Sequence, residues 1–167
     1  MFNIGDCIIY SSHGICQIDD IVENTYSGIT KSYYVLHPLE DCNLKISTPV
    51  DNDKVVMLEL LNKDKANDIL QTFKLPGIDW IEIDNQRSQM YSEIVKSGNR
   101  EEICKVVNTL MREKIKIEAT TRKFHEKDRK ILEYVQNILF AELAYSLNTT
   151  AEAISEEITR LITENKH

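Results

Sequence analysis

Glycine and proline are scarce in this sequence, five and three among 167 residues, and tryptophan occurs once. So little of either turn-former excludes collagen-like repetition and the low-complexity compositions of disordered chains. The four cysteines, Cys7, Cys16, Cys42 and Cys104, contain no CxxC pair. They make neither a disulfide framework nor a zinc-site spacing, and read as reduced, mostly buried thiols with no metal to hold. No apolar run approaches the roughly 18 residues of a membrane span, and the opening MFNIGDCIIYSS lacks the features of a secretory signal. The expectation is a cytoplasmic protein with no membrane partner. The glycines, at positions 5, 14, 28, 77 and 98, form neither a GxGxxG nor a P-loop, which argues against a nucleotide-dependent enzyme and for no cofactor.

What is present is a globular composition, 42% hydrophobic and 28% charged, sufficient to bury the core of one large or two small domains. The formal charge is −7, yet it is unevenly spread. Residues 1–63 carry four basic and nine acidic side chains, whereas residues 87–130 carry twelve basic against seven acidic. A basic central block between acidic ends suits one face for a polyanion and another for a different partner; chance clustering on solvated helices is the plain alternative.

The first half is β-rich. Cys7–Tyr10, Gly14–Ile18 and Lys31–Leu36 are short β-branched or aromatic runs bounded by turn formers, and Leu44–Thr48 alternates apolar and polar residues before Pro49. Several strands within about 55 residues predict a small bent sheet or barrel. From Asn62 the period becomes helical. Asn62 is a cap for a helix reaching Phe73, Asp84–Ser97 precedes the stop Gly98, and Asn99 with Glu102 starts a helix through Met111. A loop near Glu118–Thr121 precedes the longest helix, about 125–146, and Thr149 with Glu152 opens the last. The fold class is therefore α+β: a β-rich unit over 1–60, then an all-helical unit of about five helices over 61–167.

Catalytic material is thin. His13 and Cys16 form the one tight Cys/His pair, but three residues apart in a strand they point to opposite faces. A local hydrogen-bonded turn role for His13 is the simpler reading, and no catalytic residue is assigned. Trp80, in the connection before the basic helices, either wedges against unstacked bases while Lys and Arg hold phosphates, or packs as core between the two halves.

The N-terminal residues Phe2, Gly5-Asp6, Ile8-Ile9-Tyr10 and His13-Gly14 resemble the start of the CarD-like family of bacterial transcription regulators, with Ser11 where relatives have proline. Tyr33-Tyr34-Val35-Leu36 and Pro49 continue the likeness. So do Ser97-Gly98, Val106-Val107 with Leu110, and Lys127, Arg129, Lys130 and Leu132 followed by Ile138-Leu139 and Glu142-Leu143. The resemblance implies a Tudor-like N-terminal domain, shared with transcription-repair coupling factors, that binds the β subunit of RNA polymerase. It implies a helical domain that contacts promoter DNA, through backbone and minor groove, at the upstream edge of the transcription bubble. Together they would stabilise the open complex, without enzymatic activity or a small-molecule substrate, and the protein would be nucleoid-associated through polymerase.

On that resemblance, Trp80, Arg87, Lys123, Lys127, Arg129 and Lys130 are the expected DNA-binding residues. Asn24, Lys45, Ile46 and Ser47 are the expected polymerase-binding residues. Two arginines that relatives use against polymerase align with Asn24 and Ser47, which shifts the contact to Lys45 or to backbone pairing. The family's wedging tryptophan aligns with Asp84, three residues before Arg87. Either Trp80 still reaches the minor groove, or the wedge is lost and the DNA contact is electrostatic, with Asp84 repelling phosphate. In the latter case the protein would be a polymerase-bound adaptor for another protein. A monomer is expected, with a domain-swapped dimer open through a hinge at 74–84.

Overall fold

The computed structural model describes residues 1–10 and 13–167. Ser11, the substitution at the family's proline, and the turn position Ser12 lie outside the described residues. The chain divides into two compact units, Met1–Leu60 and Leu61–His167.

The first unit is a five-stranded antiparallel sheet in the order β4-β3-β2-β1-β5, formed by β1 (Cys7–Tyr10), β2 (Ile15–Tyr26), β3 (Ile29–Pro38), β4 (Ile46–Pro49) and β5 (Met57–Glu59). Alternation of apolar residues turns one face inward, where Ile8, Tyr10, Cys16, Ile18, Tyr34 and Leu36 form the core. Two features went beyond the sequence pattern. β5 was not anticipated, and β2 and β3 run well past the apolar stretches that announced them. The extension is a hairpin, with Thr25 opposite Thr30 and Tyr26 opposite Ile29, closed by Ser27 and Gly28 at φ 53° and 77°. Two consecutive positive φ values match the twist of the strands, which is why a glycine sits there. A bulge between Ile18 and Asp20 shifts the β2–β3 register and bends the sheet.

The second unit has five helices: α1 (Lys63–Gln71), followed by a 3-10 turn at Thr72–Lys74, α2 (Asp84–Ser97), α3 (Arg100–Glu118), α4 (Glu126–Ser146) and α5 (Ala151–Glu164). Their ends are chemically marked. The Asn62 side chain accepts from Lys65 N–H, Asn99 from Glu102 N–H, and Gly98 closes α2 in the left-handed region. The cap of α5 is Thr150, accepting from Ala153 N–H, one residue beyond the expected Thr149. α3 lies at the centre: Val106 through Met111 are all buried, a run that only a helix covered on several sides can show. Its buried polar residues, Asn108 and Thr109, donate to carbonyls of the connection that leads into α2.

Among the described residues no helix is long and apolar enough to cross a membrane.

Candidate functional site

The connection from Leu75 to Ile83, which carries Trp80, is held by side chains at four of its carbonyls. Asn108 Nδ2 donates to Leu75 O at 2.8 Å, Thr109 Oγ1 to Ile78 O at 2.6 Å, Tyr91 Oη to Asp79 O at 2.8 Å and Arg87 Nη1 to Ile81 O at 2.8 Å. Ile78 N–H returns a bond to Lys105 O at 3.4 Å. Burial pushes the Tyr91 hydroxyl up to about 12, so it remains a donor. The segment 74–84, expected to be a hinge between the halves, therefore lies wholly inside the helical unit and is bolted to α2 and α3.

Trp80 is half-buried against the helical core. The Arg87 guanidinium lies over its ring at 4.1 Å from the centroid. Arg87 itself is only 2% exposed. Its Nε and Nη2 form a bidentate pair with the buried Asp128 carboxylate at 2.9 and 2.5 Å, and Nη2 also reaches Asp84 Oδ1 at 2.8 Å. Counted in the sequence among the DNA-facing cations, Arg87 instead joins α2, α4 and the Trp80 connection from within.

Asp84, which aligns with the family's wedge, does not present a bare charge. Arg87 bonds one oxygen, and His125 Nε2 stands 3.4 Å from the other. The hydrogen bond from Arg87, with His125 and Lys127 nearby, holds its carboxyl below the ordinary range.

The remaining expected DNA residues gather at the start of α4. His125 caps that helix, its Nδ1 accepting from Lys127 N–H at 3.3 Å. Lys127 Nζ bonds the neutral Asn85 amide oxygen at 3.0 Å and forms no ion pair among the described residues, although Asp84 lies near enough to feel its charge. Lys123 and Lys130 are exposed and form no ion pair among the described residues, and the same holds for Arg122, which sequence reasoning passed over. Arg129 differs. Its guanidinium is clamped between Glu126 and Glu133, the latter at 2.7 Å, so its charge is largely spent within the helix. The N-termini of α2 and α4 are joined by the Lys127–Asn85 and His125–Asp84 contacts, and at that end four cations, Arg122, Lys123, Lys127 and Lys130, form no ion pair among the described residues, while Trp80 is tied to it through Arg87.

In the sheet unit, β4 is an edge strand hydrogen-bonded only to β3. Ser47 is exposed opposite Val35, and Asn24 lies opposite Lys31, which puts both on one face of the sheet. They stand four residues apart along β3, about 13 Å. Ile46 points the other way, packed against the core, so it supports the edge rather than facing a partner. Lys45 Nζ pairs with Asp19 at 2.9 Å, and the same carboxylate oxygen meets His37 Nδ1 at 2.7 Å.

The His13 and Cys16 pair does not assemble. Cys16 is wholly buried in the sheet core, which pushes its thiol up to about 11, away from a nucleophile's requirement. The His13 ring stacks on Tyr10 at 5.8 Å.

The chain is a small antiparallel sheet unit followed by a helical unit of five helices. Residues 2–60 match the CarD-like/TRCF RID domain and residues 68–159 match the CarD C-terminal domain. The chain belongs to the CarD-like family of transcription regulators.

Proposed function

We propose that this protein regulates transcription by binding the RNA polymerase β subunit through its sheet unit and promoter DNA through its helical unit, stabilising the open complex at the upstream edge of the bubble. Supporting the first contact are the free edge of β4 and the exposed Ser47 and Lys45, which would pair backbone and side chain with an added strand. Asn24 extends that surface along the same face, with Ile46 beneath it. The single observation that carries the second contact is the attachment of Trp80, through Arg87 and Asp128, to the first turn of α4, where the exposed Lys127 and Lys130 form no ion pair among the described residues and Lys123 lies just before it. Phosphates attract such cations, while an aromatic on a fixed loop can enter a minor groove beside them. The protein acts as a monomer, without substrate turnover, and associates with the nucleoid through polymerase.

The test is the lifetime of the polymerase–promoter open complex with wild type, with Trp80→Ala and with Lys123, Lys127 and Lys130 all changed to Glu. Wild type lengthens the lifetime, and both variants lose the effect while still co-purifying with polymerase. An unchanged lifetime with wild type, despite polymerase binding, favours a second reading. In that reading the helices serve as an adaptor for another protein, as Asp84 at the wedge position and the guanidinium covering one indole face suggest.

A further inference from the structure

We propose that Arg87 is a positioning residue that fixes the direction in which Trp80 is presented, and is not itself a phosphate ligand. The inference rests on the reading of Trp80 as a DNA contact. An arginine at 2% exposure cannot meet a phosphate without leaving Asp128, and four of its five N–H donors are already engaged. Two donors hold Asp128 on α4, one holds the Ile81 carbonyl just after Trp80, and one holds Asp84 at the start of α2. The flat face of the same group supports the indole. Only arginine combines a planar stacking surface with an in-plane bidentate fork. The ion pair with Asp128 thereby becomes a shelf, and the ring lies on it with one face covered.

A lysine at position 87 keeps the charge but loses both the fork and the plane. Arg87→Lys therefore separates the two roles that an arginine here could have. Because Trp80 is the only tryptophan, the emission of the whole chain reports this one ring.

The experiment uses the full chain and has two arms. In the first, without DNA, Arg87→Lys shifts the emission maximum to the red and makes Trp80 more accessible to acrylamide. A double variant, Arg87→Met with Asp128→Leu, replaces the buried pair by apolar side chains and secures the fold. It shows the same gain in acrylamide quenching. Unchanged emission and quenching in both variants overturn the proposal. In the second arm, a promoter-length duplex with a preformed bubble is titrated at several salt concentrations. Arg87→Lys weakens binding about two- to fivefold, the loss expected of one cation–π contact, and leaves the salt slope as in wild type. A slope reduced by about one in Arg87→Met/Asp128→Leu would instead identify a phosphate contact and overturn the proposal. If the wild-type chain binds no such DNA, the DNA reading fails, while the first arm still decides whether Arg87 sets the position of Trp80.

Discussion

At Gly77 the space for one carbon atom governs how closely the Trp80 connection approaches α3. A β-carbon there would stand 2.8 Å from the Lys105 carbonyl oxygen and 2.9 Å from the Thr109 backbone nitrogen, both part of the central helix and unable to give way. Gly77→Ala therefore lifts the connection off α3 and strains the bonds at Ile78. The expected cost is about 1–3 kcal/mol, that of inserting a methyl into a packed site, read as a lowered urea midpoint with the slope unchanged. A companion loss of DNA affinity would follow, because Trp80 lies three residues on. This close approach is invisible in the sequence, where Gly77 after Pro76 reads only as a turn. The burial of Arg87, expected to face DNA, is invisible in the sequence for a related reason. Charge is legible residue by residue, but the pairing that removes it from the surface spans 41 positions to Asp128. The ion pairs of Arg129 were legible in the sequence, since Glu126 and Glu133 at i−3 and i+4 are the spacing at which helical charges meet.

Elements were legible where local chemistry alone sets their limits. Asn62 and Asn99 start their helices as side-chain capping predicts, Gly98 ends α2 by its left-handed backbone, and β1 occupies Cys7–Tyr10. The hairpin arm of β2 and β3 was not, because its stability comes from cross-strand pairing rather than from an apolar run. Neither was β5, whose three residues form a strand through their pairing with β1. The link among β2, β3 and β4 is also tertiary, and it has a pH dependence. Asp19, next to the bulge in β2, accepts from His37 on β3 and from Lys45 just before β4. The His37 hydrogen bond first, then Lys45, holds its carboxyl below the ordinary aspartate value. A depressed folded-state value means that the folded protein binds the proton less readily than the unfolded chain. The stabilisation is thus complete above the ordinary value of 3.8 and is lost as pH falls through the lower one. Asp19→Asn should melt below wild type at neutral pH, and the gap should narrow as pH falls below 3.8. A gap that persisted into acid would assign the loss to packing.

For the molecule as a whole, net charge is a poor guide to the proposed contact with DNA. A chain at −7 should avoid DNA, yet the balance that matters is the one left after internal pairing. Of the basic residues expected to face DNA, Arg87 is buried against Asp128 and Arg129 is held by two glutamates, while Lys123, Lys127 and Lys130, together with Arg122, keep their charge for an external anion. Each phosphate neutralised by such a residue releases condensed counterions, and log K falls with log salt by about 0.9 per contact. Four free cations set an upper slope of about −3.6 on duplex DNA. Lys130→Gln should then reduce the slope by about 0.9 and weaken binding alike on all sequences, whereas Arg129→Gln should leave the slope unchanged, since the charge it removes was already compensated. Titrations of both variants from low to moderate salt measure this directly. Equal slope changes for the two would mean that DNA draws Arg129 out of its glutamate clamp, making the surface that meets DNA one that rearranges on contact.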